Sequence, residues 1–83
     1  MKKFNVIEFN SGNVEGVGYY QRSGDTLFVE AVDNSILSEF RSLIKNKQKI
    51  QFIHFKGLDS DGSFGGPFMV INIRGNDIEL KKV

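Results

Sequence analysis

NSILSEFRSLIKNK, residues 34–47, is the stretch that distinguishes this chain from an all-β protein. Its apolar side chains recur at the spacing that places them on one face of an α-helix. They are Ile36, Leu37, Phe40, Leu43 and Ile44. Residues 33–35 offer polar helix N-caps, and lysines near the other end suit the negative end of the helix dipole. The sequence therefore predicts one amphipathic helix over residues 34–47.

On both sides of this helix the chain has the composition of β-strands. Six segments are rich in aromatic and β-branched residues and are separated by glycine-containing polar clusters. They cover residues 3–9, 14–21 and 26–32 before the helix, and residues 49–56, 67–74 and 78–83 after it. The order βββαββ(β) predicts an α+β, mainly β fold, a small six-strand antiparallel barrel or curled sheet of OB-like type. An SH3-like barrel and an open sheet packed on the helix are the alternatives.

Two glycines support closure of the predicted sheet. Gly16 and Gly18 lie two residues apart in the second strand. Missing side chains at such positions permit the sharp coiling that lets a small sheet close on itself.

Composition limits the function classes. The 83 residues carry a formal net charge of +1, so long-range attraction to nucleic acid or anionic lipid is not expected to be the main source of affinity. The chain has no cysteine, and no apolar run approaches the ~20 residues of a membrane helix. We expect one domain over residues 1–83, located in the cytoplasm, with no membrane association and no cofactor.

The segment GLDSDGSFGGPF, residues 57–68, has the composition of a ligand loop or of a turn. Asp59 and Asp61 resemble the start of a calcium loop, but the distant glutamate of such loops is missing. The glycines lead into Pro67 and an apolar strand, whereas phosphate loops open a helix. We interpret the segment as a long turn that binds no metal. Phe64 in its middle either packs back onto the barrel or contacts a partner.

Catalytic candidates are few. His54 is the single histidine and shares a predicted strand face with Ile50 and Phe52. The sequence offers it no nucleophile or orienting acid, because the glutamates are scattered singly. We interpret His54 as a half-buried residue paired with a backbone carbonyl, and we expect no enzymatic activity.

Aromatic residues carry more information about binding. Tyr19 and Tyr20 are adjacent in a strand, so their side chains point to opposite faces and one of them is expected to be exposed. With Arg22 close by, this strand offers an aromatic and basic surface. Four phenylalanines have neighbours of the right period for burial in the core, namely Phe28, Phe40, Phe52 and Phe68.

Two strands are apolar on both faces. In residues 49–56, Ile53 and Phe55 oppose Ile50 and Phe52, and in residues 67–74, Met69 and Ile71 oppose Phe68 and Val70. A strand of this kind is normally covered on both sides. The outward faces are therefore predicted to bind a protein partner or a second copy of the chain, unless barrel closure and the helix cover them.

Two function classes follow from these patterns. The first is a non-catalytic protein-interaction module, adaptor-like or inhibitor-like, that self-associates through its apolar strand faces. Its predicted contact residues are Tyr19, Tyr20, Arg22, Ile53, Phe55, Phe64, Met69 and Ile71. The alternative is single-stranded nucleic-acid binding, with phosphate contacts from Lys47, Lys49, Lys56 and Arg74. A small molecule bound in the barrel mouth or between subunits is a third hypothesis.

Overall fold

The computed structural model describes residues 1–9, 12–58 and 61–83. Three strands precede the helix and three follow it. They are β1 (Lys2–Phe9), β2 (Gly12–Ser23), β3 (Thr26–Ala31), α1 (Asn34–Lys45), β4 (Ile50–Lys56), β5 (Gly62–Arg74) and β6 (Asp77–Lys82). The predicted order of elements is confirmed. In the described part of the chain, no helix is long and apolar enough to cross a bilayer.

The strands form a closed barrel in the order β1-β2-β3-β6-β5-β4, and β4 pairs with β1 to complete it. Every pairing is antiparallel. Each half of the chain forms a three-strand meander, and the two halves join through β3–β6 and β1–β4. The predicted fold class, a six-strand antiparallel barrel with one helix, is confirmed.

Helix α1 adds its apolar face to the core of the barrel. Ile36, Leu37, Phe40 and Leu43 are buried in the same cluster as the inward side chains of the strands, and Ile44 packs at its margin. This is the face that the helical spacing predicts. Phe40 meets Phe9 of β1 edge to face, with the ring centroids 5.7 Å apart.

Polar contacts hold the start of α1 against β2. Asp33 is the N-cap residue, but its carboxylate accepts a hydrogen bond from the Val17 amide at 2.7 Å instead of capping the helix. The Ser35 hydroxyl donates to the carbonyl of Glu15 at 2.7 Å. A Cβ atom on Gly16 would lie 2.8 Å from the Ile36 side chain, so this glycine allows the close approach of helix and strand.

An irregularity in the pairing of β4 with β5 accompanies a change in which side chains of β4 face the core. The register shifts between Ile50 and Phe52, so the simple alternation of sides is broken there. Ile50, Ile53 and Phe55 all point inward and are buried, whereas Phe52 is 41% exposed. The predicted burial of Phe52 and the predicted outward position of Ile53 and Phe55 are both wrong for this reason.

The outer surface of β3 differs from prediction, whereas that of β5 agrees with it. Phe28 is exposed, because its neighbours Leu27 and Val29 take the inward positions of β3. In β5 the register shifts between Val70 and Asn72, and Ile71 is 47% exposed at this bulge. Ile71 therefore does reach the surface, as predicted.

Much of the segment 57–68 is strand, not turn. Strand β5 begins at Gly62, and Gly62 and Phe64 pair with Phe55 and Ile53 of β4. Glycine is a poor strand former, so this composition predicts a turn. The prediction of a long turn is wrong for residues 62–66, whereas the predicted strand from residue 67 onward is confirmed. Asp59, one of the two acids that resemble a calcium loop, lies outside the described residues.

Candidate functional site

A groove of about 620 Å³ opens where β2 faces the start of β5. Its lining comes from Met1, Lys2, Tyr20, Gln21, Arg22, Asp61, Gly62, Ser63 and Phe64. Strands β2 and β5 are not neighbours in the barrel wall, so these residues meet across the barrel. We call this depression the Tyr20 groove.

Aromatic rings form a packed base beneath the Tyr20 groove. The Tyr20 ring stacks on Phe55 with the centroids 4.3 Å apart and the planes within 8° of parallel. Phe64 meets both rings edge-on, at 6.0 Å from Tyr20 and 6.1 Å from Phe55. Rings in these geometries attract each other beyond their apolar burial, so Tyr20 is held in one position.

The hydroxyl of Tyr20 has no hydrogen-bond partner among the described residues. Tyr20 is only 3% exposed, and within the described residues its hydroxyl is the one buried side-chain polar atom left without a partner. It lies against Gly62, where a Cβ atom would come within 2.5 Å of the oxygen. An unsatisfied buried group of this kind costs about 1–3 kcal/mol. The folded domain therefore carries an unused donor and acceptor at the wall of the groove.

We expect Tyr20→Phe to leave the free energy of unfolding unchanged, or to raise it by about 1 kcal/mol, because the substitution removes an unpaired polar group and keeps the ring. Denaturant unfolding of both proteins measures the difference. A loss of about 1.5 kcal/mol or more would show that the hydroxyl is hydrogen-bonded in the folded protein.

A charged rim of mixed sign surrounds the aromatic base. The guanidinium carbon of Arg22 lies 5.4 Å from the centroid of the Phe64 ring, and its Nε donates to the Gly24 carbonyl at 3.0 Å. These two contacts fix the guanidinium over the ring. Lys2 lies on the same rim, and Asp61 adds a carboxylate. Asp61 Oδ1 accepts a hydrogen bond from the Gly57 amide at 3.2 Å.

A second polar cluster lies on the outer face of β1 and β4 and includes Asp61. Closure of the barrel pairs Glu8 with His54. His54 Nδ1 lies 3.4 Å from Glu8 Oε1, and its Nε2 lies 3.8 Å from Asp61 Oδ2. Glu8 Oε1 also binds Lys56 Nζ at 2.7 Å. His54 is half-buried as predicted, but its neighbours are carboxylates, not the predicted backbone carbonyl.

The hydrogen bond between Glu8 and Lys56 shifts both groups toward their charged forms. The bond from Lys56 lowers the pKa of the Glu8 carboxyl, and the bond to Glu8 raises the pKa of the Lys56 ammonium. A lowered carboxyl pKa stabilises the fold above the unfolded value of about 4.3, and a raised ammonium pKa stabilises it below about 10.4. The stabilisation by this pair is therefore complete between those two values, and it is lost as the pH falls through the lowered pKa of Glu8 or rises through the raised pKa of Lys56.

We expect Glu8→Gln to lower the thermal midpoint near neutral pH, and to make progressively less difference as the pH falls below about 4.3, where the carboxyl is protonated first in the unfolded and then in the folded state. Melting curves of both proteins across this range test the expectation. Glu15→Gln is the matched control, because in the described structure no ion pair involves this exposed carboxylate. Equal destabilisation by Glu8→Gln at all pH values would contradict the assignment.

Comparison with known proteins finds no match for this chain. No protein-family model, curated protein or solved structure matches it. The functional argument therefore depends on the geometry of the described residues.

The predicted protein-contact residues fall into three groups. Tyr20, Arg22 and Phe64 come together in the Tyr20 groove. Ile53 and Phe55 are fully buried in the core, so the prediction that they contact a partner is wrong for the folded domain. The remaining three lie outside the groove lining: Tyr19 and Met69 are half-buried and Ile71 is exposed.

The four predicted phosphate-binding residues are not gathered at the groove. Lys56 pairs with Glu8, and Arg74 lines a separate depression together with Asp77 and Glu79. Lys47 and Lys49 follow the end of α1. Their positions do not form a basic track beside the aromatic rings.

The sequence gives no indication that several of the groove residues come together in the fold. Lys2, Gln21 and Ser63 are ordinary polar residues of strands, and their convergence depends on which strands face each other across the closed barrel. Gly62 offers a partial signal, because a glycine inside a strand often marks a place where another group approaches closely.

Proposed function

We propose that this domain is a non-catalytic protein-interaction module that binds a segment of a partner protein in the Tyr20 groove. The observation that carries the proposal is the arrangement of Arg22 over Phe64, which itself packs on Tyr20 and Phe55. Aromatic residues and arginine are the side chains that most often dominate protein-binding surfaces. A fixed aromatic base also reduces the entropy lost on binding.

The charges around the groove favour a protein partner over nucleic acid. Arg22 and Lys2 share the rim with the carboxylate of Asp61, so the net positive charge of the rim side chains is too small to match the repeated charges of a phosphate backbone. Single-stranded nucleic-acid binding is the second candidate, because a cation beside an aromatic ring also suits an unstacked base. It is weaker, since the cations predicted to contact phosphates lie elsewhere on the barrel.

The surroundings of His54 support the non-catalytic part of the proposal. Its ring nitrogens face Glu8 and Asp61, so in this arrangement neither nitrogen is directed at a nucleophile. The cluster has the composition of a charge network on the barrel wall. The cytoplasmic location stays a prediction from the sequence.

Self-association through the strand faces is also still a prediction, with a smaller surface than the sequence suggests. Of its four residues, Met69 and Ile71 reach the outside of the barrel and Ile53 and Phe55 do not. Light scattering at low and high salt measures the solution mass. A salt-independent dimer that Ile71→Lys dissociates would support self-association through this face.

We expect Arg22→Glu to weaken partner binding at least tenfold, because it reverses the charge fixed over Phe64. The probe is a set of peptides selected from a displayed random library on the wild-type domain, with affinities measured by fluorescence anisotropy. Arg41→Glu makes the same charge change on the exposed side of α1 and serves as the matched control. Equal effects of the two variants on every selected peptide would contradict the proposal.

A further inference from the structure

We propose that the segment bound in the Tyr20 groove is acidic, and that one of its carboxylates binds between Lys2 and Arg22. This inference rests on the proposed function and names the chemistry of the partner. It follows from the balance of charge in the groove and from the unused hydroxyl of Tyr20.

The two cationic side chains of the groove, unlike Lys56, form no ion pair with a carboxylate of the described residues. Lys56 is bound to Glu8 at 2.7 Å. In contrast, within residues 1–9, 12–58 and 61–83, no ion pair joins Lys2 or Arg22 to a carboxylate. Asp61 shares the groove, but it is engaged by the Gly57 amide and lies near His54. An anionic group of a ligand would therefore bind on the side of the groove where Lys2 and Arg22 lie, and it would neutralise their positive charge.

The guanidinium of Arg22 is preorganised to bind an anionic group. Its Nε is already bound to the Gly24 carbonyl, and its plane is held near the Phe64 ring. A guanidinium in this position keeps terminal N–H donors for a carboxylate, which it binds in a bidentate manner. Because the side chain is already ordered, little rotamer entropy is lost when the carboxylate binds.

The buried hydroxyl of Tyr20 is a second observation that points to a ligand. It lies against Gly62, a residue of the groove lining, and no group of the described chain satisfies it. A buried polar atom left unpaired in the free protein is explained if binding provides its partner. Gly62 has no side chain to block that approach.

A carboxylate suits the groove better than a phosphate group does. The side chains of the rim carry two positive charges and one negative charge, a net charge that a single negative charge neutralises. A phosphorylated side chain carries about −1.5 to −2 charges, which is more than these three side chains together neutralise. The proposal therefore names aspartate or glutamate side chains, or a peptide C-terminus, as the bound group.

The test uses the selected peptides with their acidic residues changed singly to the amide. We expect one Asp→Asn or Glu→Gln change to weaken binding to the wild-type domain about 10- to 100-fold, the range for a hydrogen-bonded charge pair. The same change should make little further difference to the Lys2→Glu or Arg22→Glu variants, which have already lost half of the pair. The Arg41→Glu domain should respond like the wild type.

Other outcomes separate this inference from the proposed function. Selected peptides that carry no essential acid, yet lose binding in Arg22→Glu, would overturn the inference and leave the function standing. Peptides indifferent to Lys2→Glu and Arg22→Glu would overturn both. Tighter binding of a phosphopeptide or of a single-stranded oligothymidylate at the same groove would overturn the acidic-peptide assignment. Two variants are used so that a folding defect in one, detected by circular dichroism, leaves the other informative.

Discussion

Phe55→Ala is expected to lower the free energy of unfolding by about 3–5 kcal/mol, the range for a buried phenylalanine. Phe55 is fully buried, and its ring lies 4.3 Å from Tyr20 and 5.2 Å from Phe4, centroid to centroid. The substitution removes this stacked pair and leaves a cavity beneath the groove. Because the free energy of unfolding of a small domain is only about 5–15 kcal/mol, this loss is a large fraction of the total stability.

The same strand supplies the control for this experiment. Phe52 has the same side chain three positions earlier, but it lies on the outside of the barrel, where it is 41% exposed. We expect Phe52→Ala to cost less than about 1 kcal/mol. Denaturant unfolding of the two variants gives both values. Similar losses at the two positions would show that β4 faces the core in another register.

Gly18→Ala is expected to destabilise the protein by about 3 kcal/mol, the upper part of the range for overpacking a core. A Cβ atom at this position would lie 2.5 Å from the Phe4 ring and 2.6 Å from the backbone carbonyl oxygen of Glu30. A flexible side chain could move away, but the carbonyl belongs to the β2–β3 pairing, where Gly18 faces Ala31. The added methyl group therefore has to displace a strand.

Gly65 is the matched position for Gly18, since it also lies in a strand and a Cβ atom there would meet nothing within 4 Å. Gly65→Ala is expected to be neutral or to stabilise by up to about 1 kcal/mol, because alanine restricts the unfolded chain. Thermal and denaturant unfolding measure both variants. A harmless Gly18→Ala would contradict the close packing of β2 on Phe4.

The sequence is sufficient to predict the elements of the fold that depend on residues close together in the chain. The spacing of Ile36, Leu37, Phe40 and Leu43 is sufficient to predict α1 and its buried face, because a helix is held by contacts within a few residues. The strand order βββα is likewise readable from short apolar segments and glycine clusters. Closure was one of several alternatives, and Gly16 and Gly18 pointed to it.

Side-chain facing in β4 could not be predicted, because it depends on an irregularity in the pairing with β5. The alternation of β4 breaks between Ile50 and Phe52, opposite an extra residue of β5, and nothing in IQFIHFK marks this place. A regular alternation therefore places Ile53 and Phe55 on a partner surface, and the structure places them in the core. The glycines after residue 61 had a similar effect, since their composition conceals the start of β5.

The candidate site was predictable only in part. The chemistry of Tyr20, Arg22 and Phe64 predicts that they contact a partner, and the fold brings these three residues together. Lys2 joins them, and Glu8 reaches His54, through contacts between strands distant in sequence. Such contacts follow from the closed topology, so no spacing along the chain signals them.

The position of the binding surface is tested most directly by backbone amide NMR of the ¹⁵N-labelled domain titrated with a selected peptide. We predict that the largest chemical-shift changes fall on Gln21, Arg22, Gly62, Ser63 and Phe64, the strand residues that line the Tyr20 groove. Changes centred instead on Phe28, Met69 and Ile71, on the outer face of the barrel, would contradict the assignment of the groove as the binding site.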